Sequence, residues 1–255
     1  MVKQFVKSKV AVFIDFANIK AWYHDANYKR IDLALLQSAL VSAGVSSLRF
    51  YYGSDERNEK QTKFFEKVAS FGFEVITKPV QYLRILFTDL LRRPVNLRWL
   101  ESISLEMRAH IEDEFRQLDE GGIVIHQPKA NFDVEIAIDA LRLAHDFDTL
   151  ILFSGDGDFT PLVNELRNLG KQVIVVAGKK FLSSNLAKSA TRHVHLEALA
   201  MAMPGLFHNQ TTKQEGDKKP YPAFRRGREN GKASVADLLG LSSGAPSAGV
   251  DKKKL

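Results

Sequence analysis

The chain contains no cysteine, so disulfide bonds and thiolate-ligated zinc or iron–sulfur sites are excluded. It also lacks an apolar run of membrane-spanning length, and its first nine residues are too few and too charged to form a secretory signal. We therefore expect a cytoplasmic protein with no membrane partner, in which oxygen or imidazole atoms would bind any metal. The 255 residues, 45% of them apolar, suffice for one sizeable α/β core and an appendage.

Net charge is almost absent from most of the chain. Residues 205–255 contain ten Lys and Arg against five Asp and Glu, whereas residues 1–204 contain 26 basic and 25 acidic side chains. The C-terminal stretch is rich in Gly, Ser and Lys, a composition typical of disorder. We predict a folded domain over 1–203 and a disordered basic tail over 204–255, which attracts nucleic acid diffusely. Leu238 and Leu239 in this tail are candidates for a short docking helix.

Acidic residues directly follow two apolar runs that are typical of buried strands. The runs are Thr149–Phe153, followed by Asp156 and Asp158, and Val10–Ile14, followed by Asp15 and Asn18. In open α/β sheets, ligands bind at the carboxyl ends of the strands, so these acids are candidates for a divalent cation site. Asp and Gly are also common in ordinary tight turns, which is the alternative explanation for each motif alone.

A third acidic segment has the spacing of a helix that begins near Asp133. Ala137 and Ala140 fall within about 40° of Asp133 on a helix, and this narrow small-residue face suits close packing on a sheet. Asp133 would then project from the first turn, where the helix dipole favours a carboxylate. Asp139 falls on another side of the helix, where an ion pair with Arg142 explains it.

Apolar runs and amphipathic helical stretches alternate along the chain. This alternation predicts an α/β fold with a doubly wound, mostly parallel sheet, in which the strands ending at Asp15 and Ser154 are neighbours. Residues 81–128 are too long for a normal strand-to-helix connection, and we interpret them as a helical insertion with a helix from Asn96 to Leu118. Its mixed charge indicates a solvated helix or a homodimer contact.

These segments together resemble the NYN domain, a branch of the PIN-like nuclease superfamily. The resemblance rests on three motifs and a glycine-containing strand, namely Asp15 with Asn18, Asp133 with Asp139, Leu150–Phe159 and Gly170–Val173. It implies a PIN-like, Rossmann-like three-layer fold. It further implies that the metal-binding and catalytic acids are Asp15, Asp133, Asp156 and Asp158, with Asn18 beside them and Asp139 as an additional candidate metal ligand.

Converging carboxylates without thiols suit Mg²⁺ or Mn²⁺ rather than zinc. A cation held by such acids can activate water for attack on a phosphodiester, so we predict a metal-dependent ribonuclease. Its partner would be RNA, single-stranded or structured. The residues predicted to contact substrate phosphate are Lys129, Ser154, Lys179 and Lys180.

Two other classes of protein remain as alternatives. One is a non-catalytic RNA-binding or regulatory scaffold of the same fold, although a scaffold would gain little advantage from four mutually repelling carboxylates. The other is a haloacid-dehalogenase-like phosphatase, because Asp156, Asp158 and Thr160 fit an Asp-x-Asp-x-Thr pattern. The phosphatase hypothesis gives no role to Asp15 or Asp133, and it needs further acids downstream of the motif.

Overall fold

The structure is a computed structural model that describes residues 9–55, 58–92, 99–209 and 235–241. The described residues form two compact units. One unit contains the residues up to Tyr52, Thr62–Ile76 and the residues from Phe132 onward, and the other contains Gly53–Gln61 and Thr77–Asn131. The predicted insertion at 81–128 lies within the second unit.

Strands and helices alternate along the described chain. The strands are β1 (Val10–Asp15), β2 (Tyr28–Ile31), β3 (Val45–Tyr51), β4 (Glu74–Ile76), β5 (Gln81–Ile85), β6 (Ile125–Lys129), β7 (Thr149–Phe153), β8 (Gln172–Ala177), β9 (Arg192–His195) and β10 (Phe207–Asn209). The helices are α1 (Phe16–Asp25), α2 (Leu33–Ser42), α3 (Glu59–Ser70), α4 (Phe87–Leu91), α5 (Leu105–Glu120), α6 (Asp133–Arg142), α7 (Thr160–Asn168), α8 (Ser184–Ser189), α9 (Leu196–Ala202) and α10 (Val235–Leu239). A 3₁₀ turn covers Gly157–Phe159.

The first unit is organised around a six-stranded parallel sheet with the order β4-β3-β1-β7-β8-β9. Helices flank the sheet in a three-layer α/β arrangement, which confirms the predicted fold class. The central strands β1 and β7 are buried along their whole apolar runs, as expected for parallel strands covered on both faces. Their register pairs Val10 with Thr149 and Ile14 with Phe153. The two strands therefore end side by side, as the sequence predicts.

The first unit extends beyond the domain boundary predicted at residue 203. Strand β10 pairs antiparallel with β2, and the Phe207 ring packs 4.8 Å from the Trp22 ring, measured between centroids. Leu206 and Leu239 are fully buried in the hydrophobic core, so α10 contributes to it. These residues belong to the folded unit because their side chains complete its core. The rest of the predicted tail, 210–234 and 242–255, lies outside the described residues.

The second unit contains an antiparallel ribbon and helices α4 and α5. Strands β5 and β6 pair from Gln81 with Lys129 to Ile85 with Ile125. Helix α5 begins at Leu105, where the Ser104 hydroxyl caps it by accepting a 3.2 Å hydrogen bond from the Met107 amide. Residues 96–98 of the helix predicted from Asn96 lie outside the described residues. Asp119 near its end caps α4 in turn, accepting from the amides of Phe87 and Thr88. No helix in the described part of the chain is both long and apolar enough to cross a membrane.

Candidate metal centre

Asp15 lies at the carboxyl end of β1 and is also the N-cap of α1. Its carboxylate accepts hydrogen bonds from the Ser154 hydroxyl at 3.1 Å and, more weakly, from the Asn18 amide at 3.4 Å. The Asn18 side-chain oxygen accepts a 3.1 Å hydrogen bond from the Gly155 amide. The ends of β1 and β7 are thus joined by two hydrogen bonds, both donated from the β7 side to the β1 side.

The turn after β7 carries Asp156 and Asp158 into the same region. Asp156 caps the 3₁₀ turn, since its carboxylate accepts a 3.0 Å hydrogen bond from the Asp158 amide. The glycines of this turn are required by the loop that packs on it. A Cβ on Gly155 would collide with the Phe181 carbonyl oxygen, and a Cβ on Gly157 would lie 2.8 Å from the Ser183 hydroxyl. The close packing fixes the direction in which the two acids leave the strand.

Three carboxylates converge at this edge of the sheet. Asp133, Asp156 and Asp158 each offer a carboxylate oxygen, and these oxygens all lie within 4.8 Å of one another. Oxygens bound to one Mg²⁺ or Ca²⁺ lie about 2.0–2.6 Å from the ion, so this spacing fits a shared cation. Asp133 reaches the group as the first residue of α6, whose buried face runs through Ile136 and Ala140.

Asp15 is coupled to this group electrostatically. The pKa of Asp15 is raised from 3.8 to about 6, chiefly by burial and in smaller part by the neighbouring charges of Asp133 and Asp156. The hydrogen bonds from Ser154 and Asn18 act in the opposite direction, because they stabilise the ionised carboxylate. The acids therefore repel one another in the absence of a cation, and an ion of high positive charge would relieve that repulsion.

Asp139 lies in a different polar cluster. Its carboxylate accepts hydrogen bonds from the Arg49 guanidinium at 2.7 Å and from the Tyr51 hydroxyl at 3.0 Å, and it lies 3.7 Å from the Arg142 guanidinium. Arg49 also pairs with Glu74 at 2.7 Å. Burial raises the pKa of Tyr51 well above its ordinary value, so its hydroxyl stays protonated and donates. Asp139 thus links α6 to β3.

The predicted phosphate-binding residues have separate locations. Ser154 is buried between β1 and β7 and donates to Asp15. Lys179 and Lys180 follow β8, where the Lys179 amide donates to Glu197 and the Lys180 ammonium pairs with Asp25 at 3.2 Å. Lys129 ends β6 in the second unit. These placements leave the substrate contacts as predictions.

Three contributors to this region were not identified from the sequence. Arg49 and Tyr51 are two residues apart on β3 and both bind Asp139, which lies 90 and 88 positions further along the chain. Glu197 accepts hydrogen bonds from the Trp22 indole at 3.0 Å and from the Lys179 amide. Each contact joins distant segments, so the local patterns used for sequence interpretation contain no signal for it.

The fold and the acidic group define an α/β domain whose candidate metal centre lies at the carboxyl edge of a parallel sheet. Residues 9–197 match the NYN domain family, and the chain belongs to that family of PIN-like nucleases. The resemblance stated from the sequence is thereby confirmed.

Two known proteins are similar to this chain, one over part of its length and the other over most of it. "Low amplitude and bright protein LabA" of Synechococcus elongatus is 30% identical over 97 residues, which cover 38% of this chain. The match spans 51% of LabA, about half of its length. The crystal structure of VPA0982, a protein of unknown function from Vibrio parahaemolyticus, superposes with a TM-score of 0.54 at 23% identity and covers 81% of this chain and 99% of its own. The second similarity shows a shared fold.

Proposed function

We propose that the protein is a divalent-metal-dependent ribonuclease that hydrolyses phosphodiester bonds. The observation that carries the proposal is the convergence of Asp133, Asp156 and Asp158, whose carboxylate oxygens lie within 4.8 Å of one another, beside the buried Asp15. Membership of the NYN family supports nuclease chemistry and RNA as the substrate class.

The donor set fits Mg²⁺ or Mn²⁺, because the four acids present only oxygen atoms and the chain has no cysteine. Asp133, Asp156 and Asp158 would hold the cation, and Asp15 would complete its acidic surroundings. When bound, such a cation polarises a phosphoryl oxygen and makes water a stronger nucleophile near neutral pH.

The residues around the acids set their orientation. The Ser154 hydroxyl donates to Asp15 and the Gly155 amide donates to Asn18, so both side chains have defined directions before substrate arrives. The Asn18 oxygen is engaged in this way, and we assign its NH₂ group as a donor to water or phosphate. Lys129, Lys179 and Lys180 are proposed as phosphate contacts.

The test is hydrolysis of labelled RNA and DNA, single-stranded and structured, with Mg²⁺, with Mn²⁺ and with excess chelator. We expect RNA cleavage only with a cation, and a loss of turnover by orders of magnitude in Asp156→Asn and Asp158→Asn. Asp146→Asn is a matched control, since Asp146 is an exposed acid that pairs with His145. Full activity in chelator would overturn the metal mechanism, and trapping of an aspartyl-phosphate on Asp156 would indicate a phosphatase instead.

A further inference from the structure

The antiparallel ribbon of β5 and β6 is exposed on both faces. Gln81–Arg84 on one strand and His126–Lys129 on the other are all exposed, including 39% of Tyr82 and 41% of Leu83. Directly opposed residues of an antiparallel pair lie on the same face. One face therefore carries Tyr82 and Arg84 together with His126, which is opposed to Arg84. We call these three residues the ribbon face.

Charge is segregated between the ribbon and the helical segment that it encloses. Residues 77–88 and 121–131 contain Lys78, Arg84, His126 and Lys129 but no Asp or Glu. Residues 89–120 contain eight Asp and Glu against five Arg. The ribbon is consequently a cationic element within a unit whose helical part is acidic, and a polyanion is the ligand that its charge complements.

Tyr82 is held in a fixed direction on this face. Its hydroxyl donates a hydrogen bond to the Asp55 carboxylate, and 39% of the residue stays exposed. Nucleic-acid bases stack on exposed aromatic rings, and cations beside the ring contact the phosphates of the same strand. Arg84 is two residues from Tyr82 on the same face, about 7 Å along the strand. The Asp55 carboxylate lies at the hydroxyl end of Tyr82.

We propose that the ribbon face binds single-stranded RNA, with a base stacked on Tyr82 and a phosphate bound by Arg84. The proposal deepens the proposed function and rests on it for the choice of RNA. Within the described residues, β5 and β6 form a sheet of two strands, so a protein strand could also pair with an outer edge. Pro128 interrupts the amide donors of β6, however, and the charge segregation favours a polyanion.

The test measures RNA binding without hydrolysis. The full chain is titrated against a fluorescein-labelled single-stranded RNA in excess chelator, and Kd is obtained by anisotropy at several salt concentrations. We expect Tyr82→Ala to weaken binding about tenfold, whereas Tyr82→Phe keeps the ring and retains most of the affinity. Arg84→Ala should weaken binding and reduce the slope of log K against log salt by about 0.7.

Arg116→Ala is the matched control for charge. Arg116 is an exposed arginine of the same unit on α5, where it pairs with Asp113 at 3.5 Å. We expect this variant to bind as the wild type does, and the basic residues of 205–255 are present in every variant. Melting curves verify that the exposed substitutions preserve the fold.

Three results would overturn the proposal. The first is wild-type-like RNA binding by both Tyr82→Ala and Arg84→Ala, and the second is a weakening by Arg116→Ala equal to that of the ribbon variants. The third is that the ribbon variants lose a dimer that the wild type forms, as seen by sedimentation, while their RNA affinity is unchanged. The last result would identify the ribbon as a protein-pairing edge. Binding is measured in chelator and is therefore independent of cleavage. If RNA is bound by the ribbon face but never cleaved, only the nuclease function is refuted. If RNA is cleaved and the ribbon variants bind it normally, only the RNA-binding role of the ribbon face is refuted.

Discussion

Asp15 is buried beside other carboxylates, and the folded protein therefore resists its ionisation. Its pKa is raised from 3.8 to about 6, chiefly by burial. For an acid, a raised pKa in the folded state means that ionisation destabilises the fold. This cost is fully present above about pH 6, decreases as the pH falls, and is absent below about pH 3.8, where Asp15 is protonated in both the folded and unfolded states.

Asp15→Asn should therefore stabilise the metal-free protein at pH 7. A pKa difference of about two units corresponds to roughly 2 to 3 kcal/mol in the free energy of unfolding, and the amide oxygen can still accept from Ser154. The gain should disappear near pH 4 and shrink when Mn²⁺ is added at pH 7. Denaturant unfolding of wild type and variant at both pH values measures it.

Asp146→Asn again serves as the control, and its effect should be small at every pH because Asp146 is exposed. A metal-free Asp15→Asn that is less stable than the wild type at pH 7 would contradict the cost of ionising Asp15 in the folded protein.

Residues next to strand ends were accessible from the sequence because their positions depend on local pattern. Asp15 directly follows one apolar run and Asp156 closely follows another, and parallel strands align their carboxyl ends. The surroundings of Asp139 were only partly accessible. Its contact with Arg142 lies within one helix, whereas its shorter contacts with Arg49 and Tyr51 depend on how α6 packs against β3.

At the scale of elements, two contacts of Tyr51 on β3 hold helix α6 against the sheet. The Tyr51 hydroxyl donates to Asp139, and its ring lies 6.1 Å from the ring of Phe132, the residue before Asp133. Both contacts restrict the rotation and sliding of α6. They therefore help to fix the position from which Asp133 reaches the other acids.

Tyr51→Phe should loosen this attachment without leaving a cavity in the core, because the ring is kept. We expect the free energy of unfolding to fall by about 1 kcal/mol, because one buried hydrogen bond is lost. Mn²⁺ binding, measured by calorimetry, should weaken by about tenfold if α6 positions Asp133. Arg142→Ala is the control, since its side chain is 70% exposed and its contact with Asp139 is long, so it should change neither quantity measurably. Unchanged Mn²⁺ affinity in Tyr51→Phe would show that Asp133 does not depend on this contact.

Several elements were missed by sequence interpretation for a common physical reason. Strands β5 and β6 are exposed, so they lack the alternation of polar and apolar residues that marks a half-buried strand. Strands β2 and β10 are short, and each becomes a strand through pairing with the other, from distant parts of the chain. The central strands were predictable because burial on both faces requires uninterrupted apolar runs.

For the whole molecule, the structure changes where the folded domain is expected to end. A chain of residues 1–203 would lack β10 and α10 and would remove Leu206, Phe207 and Leu239 from the core. Burying each such side chain contributes about 1.5–3 kcal/mol, so this chain should unfold at a markedly lower temperature. A chain of residues 1–241 keeps every described element and should melt as the full chain does. Equal melting temperatures for 1–203 and 1–241 would show that these segments add no stability.

The hydrogen bond between Ser154 and Asp15 joins positions 139 residues apart. Closing so large a loop has a high entropic cost and is slow, because the pairing of β1 with β7 must bring distant strands together. Helices such as α1 and α6 can form earlier from local contacts. During refolding, affinity for a divalent cation should consequently develop with closure of the sheet and not with the gain of helix. Cation binding by the acidic centre would therefore report the slowest step of folding.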